Sequence, residues 1–151
     1  MLKTDRPLTD DERQEVAGWL NFALRAYNLD ASEGYSDYLQ DLLRRSIDGF
    51  RSWEEPRRVA KLDTASLAMG CLWGQTICDL LGWEWASVRL GAEWEDYGVV
   101  SPNRSHVVFP LRYFRKLLSD PESDQTSKLL YNMLKAGSLP PAEPGSYMVL
   151  S

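Results

Sequence analysis

The chain has 151 residues, 44% of them hydrophobic and 26% charged, with 17 Lys+Arg against 22 Asp+Glu and a net charge of −5. That length suits one domain, 1–151, able to bury a core without disulfide or metal staples. The negative balance lacks the cationic surplus that drives nucleic-acid or anionic-membrane binding, so neither is expected as a partner.

Thr9-Asp-Asp-Glu12 reads as a capping box, its acidic first turn suited to the positive end of a helix. Val16, Trp19, Leu20, Ala23 and Tyr27 follow at three- to four-residue spacing, which predicts an amphipathic helix over residues 10–27. The run 28–34 breaks it. Tyr35, Tyr38, Leu39, Leu42, Leu43, Ile47 and Phe50 repeat the pattern and predict a second helix over 35–52. Pro56 is expected to end that run, so 1–61 forms a helical pair with a connecting linker.

The third helix is expected to start at an Asp63 or Thr64 cap and to stop where Gly82 supplies a left-handed turn. It is apolar nearly all round, as a buried central helix is. Gly70 and Gly74, four apart, would let another element approach closely. Gln75, Thr76 and Asp79 interrupt this apolar run, which is short for a bilayer span. Cys71 and Cys78 sit roughly 10 Å apart along its axis, beyond the ~7 Å Cα reach of a disulfide. Two unbridged buried thiols and an N-terminus without an apolar signal core make the cytoplasm the expected compartment.

After Gly82 the period becomes two. Residues 83–90, 96–101 and 106–109 read as three strands joined by turns at 91–95 and 102–105. Pro110 is placed to start a helix whose apolar face carries Leu111, Phe114, Leu117 and Leu118. A last helix is expected over 123–136, stopped by Gly137, and 138–151 is a Pro-rich tail whose end, 147–150, is apolar enough to dock, with docking left open at this level. The fold class is α+β: about five helices on one face of a small three-stranded antiparallel sheet, in the order ααα-βββ-αα, with 62–137 holding the central helix, the meander and the C-terminal helices.

Chemistry-bearing patterns are sparse. His106 is the only histidine, and two intrahelical cysteines supply no zinc set, so no metal, cofactor or catalytic residue is assigned. No glycine-rich phosphate loop and no nucleophile elbow occurs. Asp79, Glu84, Glu93, Glu95 and Asp96 make the first hairpin acidic, with only Arg89 opposing. Interleaved with Trp85, Trp94 and Tyr97, these acids suggest a surface for a basic protein partner, anchored on aromatics. The partner-binding set is therefore Trp85, Glu93, Trp94, Glu95, Asp96 and Tyr97. Arg104, Arg112, Arg115 and Lys116 put positive charge beyond the second hairpin, where a solvated helix face is the simpler reading.

Gly70-x-x-x-Gly74-Gln75, Leu81-Gly82-Trp83-x-Trp85, Val99-Val100-Ser-Pro102 and Val107-Val108-Phe109-Pro110-Leu111 together resemble a small bacterial domain family of unknown function, over about a third of the chain. Where that family often carries an acidic residue after the second glycine, this chain has Gln75. The resemblance implies no catalytic residue. In general style the chain is also similar to bacterial toxin-immunity proteins, which implies a non-enzymatic module that occludes a basic toxin. The alternative is a small-ligand or enzymatic module, with a pocket between the central helix and the sheet that uses Gln75, Asp79 or His106. Oligomeric state is open at this level.

Overall fold

The computed structural model describes residues 3–30, 36–92 and 94–151. Its elements run β1 Lys3–Pro7, α1 Asp10–Ala26, α2 Ser36–Arg51, α3 Glu55–Leu81, β2 Glu84–Leu90, β3 Glu95–Val100, β4 His106–Val108, α4 Pro110–Ser119, α5 Ser127–Ala136 and β5 Met148–Val149. The class is α+β, with five helices and one five-stranded sheet among the described residues, in the order β1-β2-β3-β4-β5. The first four strands are antiparallel neighbours, and β5 joins β4 in parallel.

The expected three-stranded antiparallel sheet is thus extended at both ends. β1 is a polar pentapeptide, Lys-Thr-Asp-Arg-Pro, with no apolar alternation to reveal it. Its pairing with β2 is a tertiary event, and Lys3 and Pro7 suit a sheet edge. β5 is two residues of the C-terminal tail, too short for any period.

The central helix also begins earlier than expected. Pro56 starts α3 instead of ending its predecessor, because a proline in the first turn gives up a donor that has no partner there anyway. The segment expected as a linker is therefore helical from Glu55. At the other end α5 starts at Ser127, four residues later than expected. The Asp120 carboxylate accepts from the Glu122 amide at 3.1 Å and its carbonyl from the Ser123 amide at 3.1 Å, which closes a turn after α4 and holds those residues out of a helix.

Other local rules hold. The Thr9 hydroxyl accepts from the Glu12 amide at 3.2 Å, while the Glu12 carboxylate accepts from the Thr9 amide at 2.8 Å. Gly82 closes α3 at φ +68°, its N–H donating to the Cys78 carbonyl at 2.9 Å. Trp73, Leu72 and Ile77 of α3 are fully buried against α1, α2, α4 and the helix-facing side of the sheet. Gly70 and Gly74 let α4 and β2 come this close: a β-carbon on Gly70 would lie 2.9 Å from the Pro110 carbonyl oxygen, and one on Gly74 2.6 Å from the Trp85 ring. The other sheet face buries Ala86, Val88, Val100 and Val107 with Phe109 and Tyr147. No helix among the described residues is long and apolar enough to cross a membrane.

Candidate functional site

The hairpin residues singled out by sequence are split between the sheet faces. Register pairs Trp85 with Val99, Ser87 with Tyr97 and Arg89 with Glu95, so Trp85, Tyr97 and Glu95 share the face toward α1 and α3. Asp96 pairs with Val88 on the opposite face. Glu93 lies outside the described residues.

Each described member of the set has a partner within the chain. Glu95 accepts from the Ser87 hydroxyl and from Arg89 at 2.9 Å and pairs with Arg6 at 3.1 Å; these hold its carboxyl below the usual range. Asp96 is half-buried, and burial raises its carboxyl above the ordinary value, against the amide of Tyr97 and the charge of Arg112. The Tyr97 hydroxyl donates to Glu15 at 3.1 Å; burial and that carboxylate push it up to about 12. Trp94 stands edge-on to Phe109, ring centroids 4.9 Å apart, with the Arg112 guanidinium 4.9 Å from its own centroid.

The groups named for a catalytic or ligand pocket separate likewise. The His106 ring is nearly buried between the Ser105 hydroxyl and the Pro140 carbonyl, both at 2.7 Å. Gln75 and Asp79 do meet: the Gln75 amide donates to Asp79 at 2.9 Å, and its carbonyl accepts the Trp85 indole N–H at 3.2 Å. Both thiols are free, and burial pushes each up to about 12. Of the basic set, Arg104 pairs with Asp5 and Glu84, Arg115 with Asp63, and Arg112 lies over Trp94. Among the described residues no group of three or more His, Cys, Asp or Glu is arranged to hold a metal ion.

Two of the concavities among the described residues combine size with a mostly apolar lining. A cleft of about 530 Å³ opens between α1, α3 and the start of β2, with Leu8, Val16, Leu20 and Trp85 as apolar lining and Gln75 at one side. It arises because β1 stops at Pro7, opposite Ala86, while β2 continues to Trp85 and Glu84. The second is a groove of about 450 Å³ along the three N-terminal helices. Phe22 of α1, Tyr27 at its C-terminal cap, Phe50 of α2, Trp53 and Ala65 line it, together with Lys61. Its lining is almost wholly apolar, and Phe22 is 45% exposed.

The stretch of sequence that supplies part of this groove's wall is rich in cations, of which Lys61 lines the groove itself. Residues 44–61 carry six cations and three anions in a chain whose net charge is −5. Among the described residues no cation of that stretch makes an ion pair; Arg57 instead stacks over Trp53, 3.5 Å from the ring centroid. The cluster Arg44-Arg45, Arg51, Arg57-Arg58 and Lys61 is visible in the sequence, but its relation to the groove depends on how α1 crosses α3.

Compared with known proteins, the chain matches no family model, no curated protein and no solved structure.

Proposed function

We propose that this protein is a protein-binding module that receives an acidic, amphipathic helix of its partner in the groove between α1, α2 and α3. The observation that carries this reading is an open apolar groove flanked by Arg57 and Lys61, cations that make no ion pair among the described residues. From Lys61 to Met69 the groove runs for roughly 12 Å of α3, enough for anchors at i, i+3 or i+4 and i+7 of a docked helix. Apolar anchors would fill it, while acidic residues on the flank would meet the two cations and speed encounter. A toxin-immunity role in a reducing cytoplasm is one use of such a surface. The acidic hairpin is a weaker basis for partner capture, since Glu95 already has Arg6 and Arg89.

Two synthetic helices with the same apolar face, one glutamate-flanked and one lysine-flanked, test the reading by fluorescence anisotropy. The acidic helix should bind, less tightly as salt rises, and Ala26→Glu or Lys61→Glu should weaken it at least about tenfold. Equal binding of the basic helix, or indifference to both substitutions, overturns it. So does a dimer of this chain that Ala26→Glu dissolves, since the occupant would then be a second copy.

A further inference from the structure

We infer that the cleft between α1, α3 and the start of β2 is a binding site for a small zwitterion with an apolar body, such as a free apolar amino acid or a short apolar peptide. The inference is independent of the groove. α1 presents Val16 and Leu20 to the cleft and Phe22 and Ala26 to the groove, so each depression can be altered without touching the other.

The volume, about 530 Å³, falls within the range of about 300–1,000 Å³ typical of small-ligand sites. The apolar part of the lining is preformed. Leu8 and Val16 are core residues, and the Trp85 indole is fixed at its N–H by Gln75 and at its ring by the close approach of Gly74. Such a floor takes an aliphatic or aromatic side chain without rearrangement.

The charged part selects the ligand. Asp5, Glu84, Arg13 and Arg104 line the cleft, two of each sign, so it favours neither a simple anion nor a simple cation. Asp5 is fully engaged, accepting from Arg104 and from the Tyr147 hydroxyl, and its side chain is 11% exposed. Arg104 is spent on Asp5 and Glu84. Capacity is left on the other two. The Glu84 side chain is 62% exposed and, among the described residues, only one of its oxygens takes a bond, from Arg104. The Arg13 side chain is 58% exposed, with one nitrogen donating to the Leu8 carbonyl at 2.7 Å and another to Asp10. Arg13 comes from α1 and Glu84 from β2, so an anion-binding and a cation-binding group stand on different walls above one apolar floor. A ligand carboxylate meets Arg13, its ammonium meets Glu84, and its side chain rests on Leu8, Val16, Leu20 and Trp85.

Isothermal calorimetry on the full chain tests this with leucine, leucyl-leucine, N-acetyl-leucyl-leucine and leucyl-leucinamide. The free zwitterions should bind, and the tighter of leucine and leucyl-leucine says whether an amino acid or a peptide is the better fit. Each cap should weaken binding at least tenfold. Glu84→Gln should bind leucyl-leucine no better than wild type binds the acetylated form, and Arg13→Met no better than wild type binds the amide. Ala17→Trp, which plugs the cleft from an exposed helix position, should abolish binding while thermal unfolding shows the fold intact; Ala26→Glu in the groove should change nothing. No heat from either zwitterion, capped forms that bind as well as free ones, or Ala17→Trp binding like wild type would each overturn the inference.

Discussion

Gly74→Ala is the substitution at which the packing of the central helix makes its sharpest demand. A β-carbon there would sit 2.6 and 2.7 Å from two atoms of the Trp85 ring and 2.8 Å from Cγ of Pro110. None of these neighbours yields easily. The indole is tied through its N–H to Gln75 at 3.2 Å, and the proline ring is locked into the first turn of α4. Forcing one methyl into such a contact costs about 1–3 kcal/mol, and the rigid surroundings place it at the upper end. Replacing glycine by alanine inside a helix returns about 1 kcal/mol. The net expectation is a loss of about 1–2 kcal/mol, or roughly 2–8 °C in Tm for a chain of this size. Gly18→Ala is the control. It lies in α1, is exposed, and a β-carbon there meets nothing within 4 Å, so it should gain about 1 kcal/mol. Urea unfolding of the two variants with wild type reads both numbers. Gly74→Ala as stable as Gly18→Ala would refute the close approach of α3 to Trp85 and Pro110.

Further expectations concern charge and chemistry. The guanidinium of Arg6 and the amide of Thr9 hold the Glu12 carboxyl at about 2, against an ordinary 4.5. A depressed carboxylate stabilises the fold above its unfolded value and loses that contribution as pH falls through the folded one. The stability gap between wild type and Glu12→Gln should therefore be full at neutral pH, begin to close below about 4.5 and vanish near 2; a gap constant across acid titration contradicts the pairing. Arg104→Ala should lower stability by about 1–3 kcal/mol, because Asp5 is left without its cation between β1 and the C-terminal segment; an unchanged denaturation midpoint would mean the pair does not form. Cys71 is 1% exposed and its thiol is pushed up to about 12, so alkylation at neutral pH should proceed only at the rate of unfolding; rapid labelling of the native protein would refute its burial.

Features governed by neighbours in the chain were legible from sequence, and features governed by distant contacts were not. The Thr9–Glu12 capping box, the left-handed Gly82 and the proline start of α4 follow local rules and are found where those rules put them. Pro56 is locally ambiguous, since proline both ends and begins helices, and packing of α3 against α2 settles it as a beginning. β1 has no apolar period, and only its register with β2 makes it a strand. The same holds at the sites. Glu95 reads as an exposed acid in an acidic hairpin, yet Arg6, 89 positions away, crosses from β1 to pair with it. The cleft joins residues of β1, α1, α3 and β2, and the groove joins α1, α2 and α3; neither leaves a contiguous motif. Among the residues singled out, Trp85 and Gln75 do meet, at the cleft, because alternation along β2 turns Trp85 toward α3.

The most direct test of the groove as the partner surface is site-specific photo-cross-linking in the cells that express the protein. A photoreactive phenylalanine at position 26, in the groove, is compared with one at position 92, the exposed turn between β2 and β3. The groove reading predicts one protein adduct from position 26, none from position 92, loss of the adduct with Lys61→Glu, and an acidic amphipathic helix at the cross-linked segment of the partner. An adduct formed from position 92 alone would contradict it and return the binding surface to the acidic hairpin.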